Sequence, residues 1–284
     1  DTEIIPILGD IRDRKNLEHV FQKYSVDHVY HAAAYKHVPI VENENNISKA
    51  AENNILGTYN LAKSAVKHGV HSFVMISTDK AVRPTNIMGA TKRFAEIIIQ
   101  SINSESSNTK FSMVRFGNVI NSSGSVIPLF IDQISRGGPI TVTHKDVMRY
   151  FMTIPEASNL VLQAGEMSSG GEVFILDMGE QIKIFDLARK LIHLSGRNHA
   201  DGDEVDGIQI IEVGLRPGEK MFEELLISGL ELKTENPKIY KATESFIEPK
   251  ILKPLLAELK ESIASFDNTK ILTLLSQHVE GFNR

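Results

Sequence analysis

Residues 72–94, SFVMISTDKAVRPTNIMGATKRF, pass from an unbroken apolar run through a polar turn into a segment with apolar residues every three or four positions. The run FVMI is short and shows no polar alternation, as a strand buried on both faces requires. Ala90, Phe94, Ile97 and Ile98 then mark one buried side of a helix. The same unit recurs outward. Runs at 4–8 (IIPIL), 28–34 (HVYHAAA) and 111–116 (FSMVRF) alternate with segments of helical period. Leu17, Val20, Phe21 and Tyr24 form one apolar stripe behind a capping Asp13, and Leu56, Tyr59, Ala62 and Val66 form another that closes at Gly69. Strict alternation of strand and helix predicts an α/β fold with a parallel sheet covered on both faces.

From about Ser122 the texture changes to Gly-, Pro- and Ser-rich turns, including SSGSV, RGGP, SSGG and LRPGEK. A sheet domain over 1–124 is expected, followed at 125–284 by a smaller interleaved lobe, with 151–178 packing back on the sheet. No internal repeat interrupts this plan.

Of 284 residues, 31 are Lys or Arg and 36 are Asp or Glu, a net charge of −5. That balance argues against nucleic acid or an anionic membrane as partner, both of which need surplus positive charge. The absence of cysteine excludes disulfides, thiolate nucleophiles and cysteine-bound zinc. No apolar run approaches the ~20 residues of a membrane span, so this segment is expected to be soluble and cytoplasmic, without membrane contact. No metal is expected. His28 and His31 are three apart on a strand and point to opposite faces, and the acidic stretch 201–207 lacks the register and terminal Glu of a calcium loop.

Ligands of an open parallel sheet bind beyond the carboxyl ends of its strands. The segments there are GDIRD, HAAAYKHVP, STDKAVRPTNIMGATKR and RFGNVINSSGSV. Ala32, Ala33, Ala34 and Gly117 let a flat cofactor approach the backbone, while Ser77, Thr78, Asp79 and Asn118 offer hydrogen bonds. Tight strand–helix packing would use the same small residues.

Together these segments resemble the extended short-chain dehydrogenase/reductase superfamily, and within it the UDP-N-acetylglucosamine 4,6-dehydratases of polysaccharide biosynthesis. The resemblance runs from Asp10 to about Leu226 and is most specific in STDKAVRPTNIMGATKR. It implies a Rossmann-like, doubly wound sheet and an NAD or NADP cofactor. Two departures stand out. The family's G-x-x-G-x-x-G turn is absent, because the chain starts where the third strand of such a fold lies, so a strand–helix–strand unit of about 50–60 residues is expected upstream. Larger members also carry membrane-spanning helices there, which would anchor the full-length protein. In addition, the superfamily's Tyr-x-x-x-Lys reads Met88-Gly89-Ala90-Thr91-Lys92, a replacement shared by a subgroup of large dehydratases.

Dehydration across carbons 5 and 6 needs hydride removal from carbon 4, a base for the carbon 5 hydrogen and an acid for the departing carbon 6 hydroxyl. Adjacent Asp79 and Lys80 suit the acid and base roles. Asp79 is expected to be raised by burial, and Lys80 to be lowered by burial or nearby positive charge. Thr78 is placed to bond the carbon 4 oxygen. With Met88 unable to take a proton, an ionised Asp79 or a water beside Thr78 is left to accept the carbon 4 hydroxyl proton.

The resemblance further assigns Lys92 to the nicotinamide ribose, Asp10 and Ile11 to the adenine, and Ala32, Ala33 and Ala34 to the diphosphate and ribose bed. It gives Asn53 a supporting role, and places Ser77 and Asn118 near the nicotinamide. For a UDP-sugar, Arg149 and Arg216 are the diphosphate clamps, Glu219 meets the ribose, Thr141 flanks the uracil, and Lys36, His37 and Asn118 approach the sugar. The resemblance implies a homodimer or higher homo-oligomer paired through helices at 53–67 and 88–102, and Ile97, Ile98 and Ile99 carry more apolar surface than one buried face requires. The alternatives are a nucleotide-sugar 4-epimerase, in which Asp79-Lys80 has no role, and a non-catalytic dinucleotide sensor.

Overall fold

Three parallel strands, β1 (His28–His31), β2 (Ser72–Ile76) and β3 (Lys110–Arg115), lie side by side in the computed structural model, which describes residues 2–106, 108–200, 207–224 and 232–284. Strand β4 (Glu172–Leu176) continues the parallel set beside β3, and β5 (Leu232–Lys233) and β6 (Ile239–Ala242) close the sheet antiparallel, in the order β1-β2-β3-β4-β6-β5. Side-chain alternation puts Phe73, Met75, Phe111 and Met113 into one core, and Val74, Val114, Phe174 and Leu176 into another on the opposite face. Both faces are therefore covered, which explains the unbroken apolar runs. This is the covered parallel sheet that the alternation of runs predicts, in the Rossmann-like form that the resemblance implies.

Helix α1 (Arg14–Lys23) starts at Asp13, whose carboxylate accepts from the Lys15 and Asn16 amides. Helix α2 comprises Ile47–Ala51 and Thr58–Lys67, joined by a π-helical turn at Glu52–Gly57. In that turn Gly57 admits the Ile11 side chain, which a β-carbon would meet at 2.7 Å. Helix α3 (Ile87–Glu105) is capped by Asn86, which accepts from the Gly89 amide at 2.8 Å. Helices α4 (Val126–Ser135), α5 (Ile154–Glu166) and α6 (Ile184–Leu194) follow, and α7 (Pro249–Ala264) and α8 (Asn268–His278) form a hairpin at the carboxyl end. Helix α5 packs on the sheet with the second core, while Phe130, Ile134, Ile140, Val142, Ile184 and Ile192 make the separate core of the lobe.

Three expectations need correction. Residues 2–10 form no strand: Ile4, Ile5, Ile7 and Leu8 are exposed, and a strand without a ladder partner leaves its backbone groups unpaired. The carboxyl-terminal segment expected in the lobe instead joins the sheet unit, with 239–242 in the sheet and Leu252, Leu259, Ile271 and Leu275 in the same core as Phe73 and Ile98. The surplus apolar face of α3 is not left for a second subunit. Every residue from Ile87 to Ile102 is buried within the chain, because the α7–α8 hairpin joins the core around α3.

A buried group of charges also joins these parts. Glu96 of α3 accepts from Arg115 of β3 (Nε 2.8 Å, Nη2 2.6 Å), from Arg93 (3.1 Å) and from the Ser77 hydroxyl (2.6 Å). Both arginines also reach Glu244, just after β6. Burial alone would raise Glu96, but the two guanidiniums and the Ser77 hydroxyl bring it down to about 2. Among the described residues, no helix is long and apolar enough to cross a membrane, and no three His, Asp or Glu side chains gather as a metal site. Residues 201–206 of the acidic stretch lie outside the described residues.

Candidate active site

Beyond the carboxyl ends of β1, β2 and β3 lies a cavity of about 480 Å3, walled on one side by the loops leaving these strands and on the other by the lobe. Thr78 is extended, and its hydroxyl accepts from the Lys80 amide (3.3 Å), starting a single 3-10 turn at Asp79–Ala81. The Asp79 amide donates to the Phe116 carbonyl at 3.1 Å, fastening that turn to the loop after β3. Glycines hold it on both sides. A β-carbon on Gly89 would collide with the Lys80 carbonyl, and one on Gly117 would come within 3.2 Å of Asp79 Oδ2.

Asp79 is 1% exposed. Its Oδ1 accepts from the Thr78 hydroxyl (2.8 Å) and from Lys80 Nζ (3.0 Å), while its Oδ2 is buried and has no hydrogen-bond partner. Lys80 lines the cavity and also donates to Asn118 Oδ1 at 3.4 Å. It lies 3.4 Å from Glu223 Oε1 as well. Burial would lower the Lys80 ammonium, but the Asp79 and Glu223 carboxylates outweigh burial and raise it above its ordinary value. The expectation of a lowered Lys80 is thus overturned, because two acceptors surround it and the positive neighbour, Arg149, acts more weakly.

Met88 and Lys92 share the wall formed by α3. Lys92 Nζ donates to the Ile76 carbonyl at 2.7 Å, and burial, partly offset by Glu96, lowers it to about 8. An ammonium has three donors, so Lys92 keeps capacity for a ligand in the cavity. Ala32, Ala34 and Ser77 line the same space, whereas Ala33, Asn53, Asp10 and Ile11 do not. Asn54 holds the loop after β1, accepting from the Tyr35 amide (2.8 Å) and donating to the Tyr35 carbonyl (3.1 Å), while Asn53 donates to Asn54. The Asp10 carboxylate is taken by Arg12, whose guanidinium and amide bring it down to about 2.

On the lobe side, Arg149 Nη2 donates to Glu219 Oε1 at 3.1 Å, and its Nε lies 3.6 Å from Glu223 Oε1. Glu219 also accepts from the Thr143 hydroxyl (2.9 Å) and the Arg216 amide (3.1 Å). Arg216 itself stands exposed at a turn closed by Gly218 (φ 75°). Thr141 sits on the strand Ile140–Val142, Lys36 lines the cavity, and the His37 ring fills the space where a β-carbon of Gly124 would fall. The structure therefore gathers Thr78, Lys80, Met88, Lys92, Asn118, Arg149, Arg216 and Glu219 around one cavity, with Asp79 buried beneath the wall and bonded to Thr78 and Lys80. Two residues escaped the sequence reading. Asn54 is indistinguishable from Asn53 without the π-turn, and Glu223 is one glutamate among several in EKMFEEL.

The family model for polysaccharide biosynthesis proteins matches residues 1–244. The capsular polysaccharide biosynthesis protein CapD of Staphylococcus aureus is 49% identical over 97% of this chain and 44% of its own length. A UDP-glucose 4-epimerase of Rickettsia canadensis is 36% identical over 81% of this chain and 64% of its own. The inverting UDP-N-acetylglucosamine 4,6-dehydratase of Campylobacter jejuni is 35% identical over 78% and 62%. The chain thus spans less than two thirds of these relatives. Among solved structures, Pen of Bacillus thuringiensis superposes with a TM-score of 0.74 at 34% identity, covering 89% of this chain and 81% of Pen.

Proposed function

The chain belongs to the polysaccharide biosynthesis protein family, and from that membership we propose that it is the catalytic portion of an NAD(P)-dependent UDP-N-acetylglucosamine 4,6-dehydratase, yielding a UDP-4-keto-6-deoxy sugar. The observation that carries the reading is the Asp79–Lys80 pair, in which Lys80 lines the cavity and Asp79 is buried directly behind it with its Oδ2 unpartnered. A buried carboxyl oxygen without a donor suits a group that meets a sugar hydroxyl in the bound state.

The cofactor fits the residues on the sheet side: Ala32, Ala34 and Ser77 leave room at the strand ends, and Lys92 has donors to spare for ribose hydroxyls. A nicotinamide held there by Lys92 and the bed at Ala32 and Ala34 would supply a reversible hydride acceptor for carbon 4 and donor for carbon 6. With Thr78 bonding the carbon 4 oxygen, an ionised Asp79, directly or through a water beside Thr78, takes the proton of the carbon 4 hydroxyl, the task Met88 cannot perform. Lys80, once neutral, removes the carbon 5 proton, which the new ketone has acidified, and carbon 5 regains a proton, from the Lys80 ammonium or from water on the other face, as hydride adds to carbon 6. Asp79, now protonated, gives its proton to the carbon 6 oxygen as water leaves. Arg149 and Arg216 receive the diphosphate, with Glu219 aligning Arg149.

A 4-epimerase is the second reading, favoured by the 36% identity to the Rickettsia enzyme. Incubating the intact protein with cofactor and UDP-N-acetylglucosamine separates the two. Loss of one water from the sugar nucleotide supports dehydration, unchanged mass with inverted carbon 4 supports epimerisation, and unaltered substrate defeats both.

A further inference from the structure

Glu223 is 5% exposed, lines the cavity and comes from the lobe, whereas Lys80 comes from the sheet. Its Oε1 faces two cations, Lys80 Nζ at 3.4 Å and Arg149 Nε at 3.6 Å, and its Oε2 is buried with no hydrogen-bond partner. Structural carboxylates elsewhere in this chain use both oxygens. Glu96 accepts from Ser77 and Arg115 on one and from Arg93 and Arg115 on the other, and Glu172 likewise uses both for Ser168, Ser169, Gly170 and Lys241. A carboxylate kept only for packing or folding would not leave one buried oxygen idle at a cavity wall.

We propose that Glu223 is a positioning residue that governs when Lys80 gives up its proton. Resting on the dehydratase reading for its purpose, the inference concerns only the Glu223–Lys80 pair for its content. With the cavity open, Glu223 and Asp79 keep Lys80 as an ammonium. Arg149 faces the same Glu223 oxygen, so a diphosphate that draws Arg149 away alters the charge balance at Lys80 where the sugar is to react. The charged groups facing the pair are Asp79 on the same turn as Lys80, Arg149 from the lobe strand, and Glu219, which neutralises Arg149 from the other side. Lys92 lines the same cavity with its ammonium on the Ile76 carbonyl.

The role can be read without turnover. Lysine labelling by acetic anhydride, followed against pH and mapped to Lys80 by mass spectrometry, reports the fraction of neutral amine. In the intact protein, Glu223→Gln keeps the shape and removes the charge, leaving Arg149 to act on Lys80. The labelling midpoint is expected to fall by about one pH unit or more, as for loss of an opposite charge at this distance. Glu223→Asp should move it less, and decides the matter if the glutamine variant does not fold. Identical midpoints in wild type and the folded variant would overturn the proposal. Product mass in the same preparations judges the dehydratase reading separately. A moved midpoint with no product sinks that reading and leaves the Glu223 role standing, whereas product with an unmoved midpoint does the reverse.

Discussion

Gly89 of helix α3 lies against the carbonyl of Lys80 so closely that a β-carbon at position 89 would run into it. The Asp79–Ala81 turn and the helix bearing Met88 and Lys92 are thus held at a separation that only glycine permits. Gly89→Ala should cost about 1–3 kcal/mol of stability, as overpacking does, and displace Asp79 and Lys80 together. Thermal unfolding and a kcat-against-KM split check this. An unchanged kcat would mean the turn tolerates the shift.

Lys80→Ala should lower dehydration by at least about 100-fold while UDP-sugar binding changes little, because the proposed task is proton transfer at carbon 5. Incorporation of solvent deuterium at that carbon should cease. Exchange that continues in the variant would take Lys80 out of the mechanism.

His31 is 2% exposed, its Nε2 sharing a 2.8 Å hydrogen bond with Thr58 Oγ1, and burial together with the Lys92 charge lowers it to about 3. An unfolded histidine binds its proton near 6.5, so stability present above that pH is lost as pH falls toward 3. By pH 5 the loss should be on the order of 2 kcal/mol. The contribution of Glu96, about 2 when folded against 4.5 when unfolded, begins to fade only at lower pH. Denaturant melts at pH 7 and 5 should show the drop, and His31→Gln should flatten it.

Leu259 of α7 and Leu275 of α8 are fully buried in the core that also holds Ile98 and Ile99. Leu259→Ala should cost about 2–5 kcal/mol. Bis-ANS fluorescence should rise as the hairpin loosens from α3. A variant as stable as wild type would mean that the hairpin merely rests on the surface.

Most of this molecule was legible in the order of its runs. Phe73, Val74 and Met75 could be read as a two-sided strand because both faces of the sheet are covered, and Thr78, Asp79, Lys80 and Lys92 fell together because strand ends converge on one edge. What escaped depended on distant parts of the chain. Periodicity counts the apolar faces of α3 but cannot say whether a second subunit or residues 249–278 cover them. The run IIPIL has the composition of a strand, yet composition does not supply a neighbour to pair with. The charge state of Lys80 was misread because Glu223, 143 positions later, is brought beside it only by the fold.

The quartet of Arg93, Glu96, Arg115 and Glu244 has a consequence for how this chain can vary. Removing any one member would strand a charge in the interior, at a cost of about 3–5 kcal/mol, whereas exchanging all four for apolar side chains of similar volume can be near neutral. In a saturation library each position should look intolerant when changed singly and permissive in a matched background. Mutational routes across this site therefore pass through coordinated replacements, and a single-site scan would overstate how indispensable each charge is.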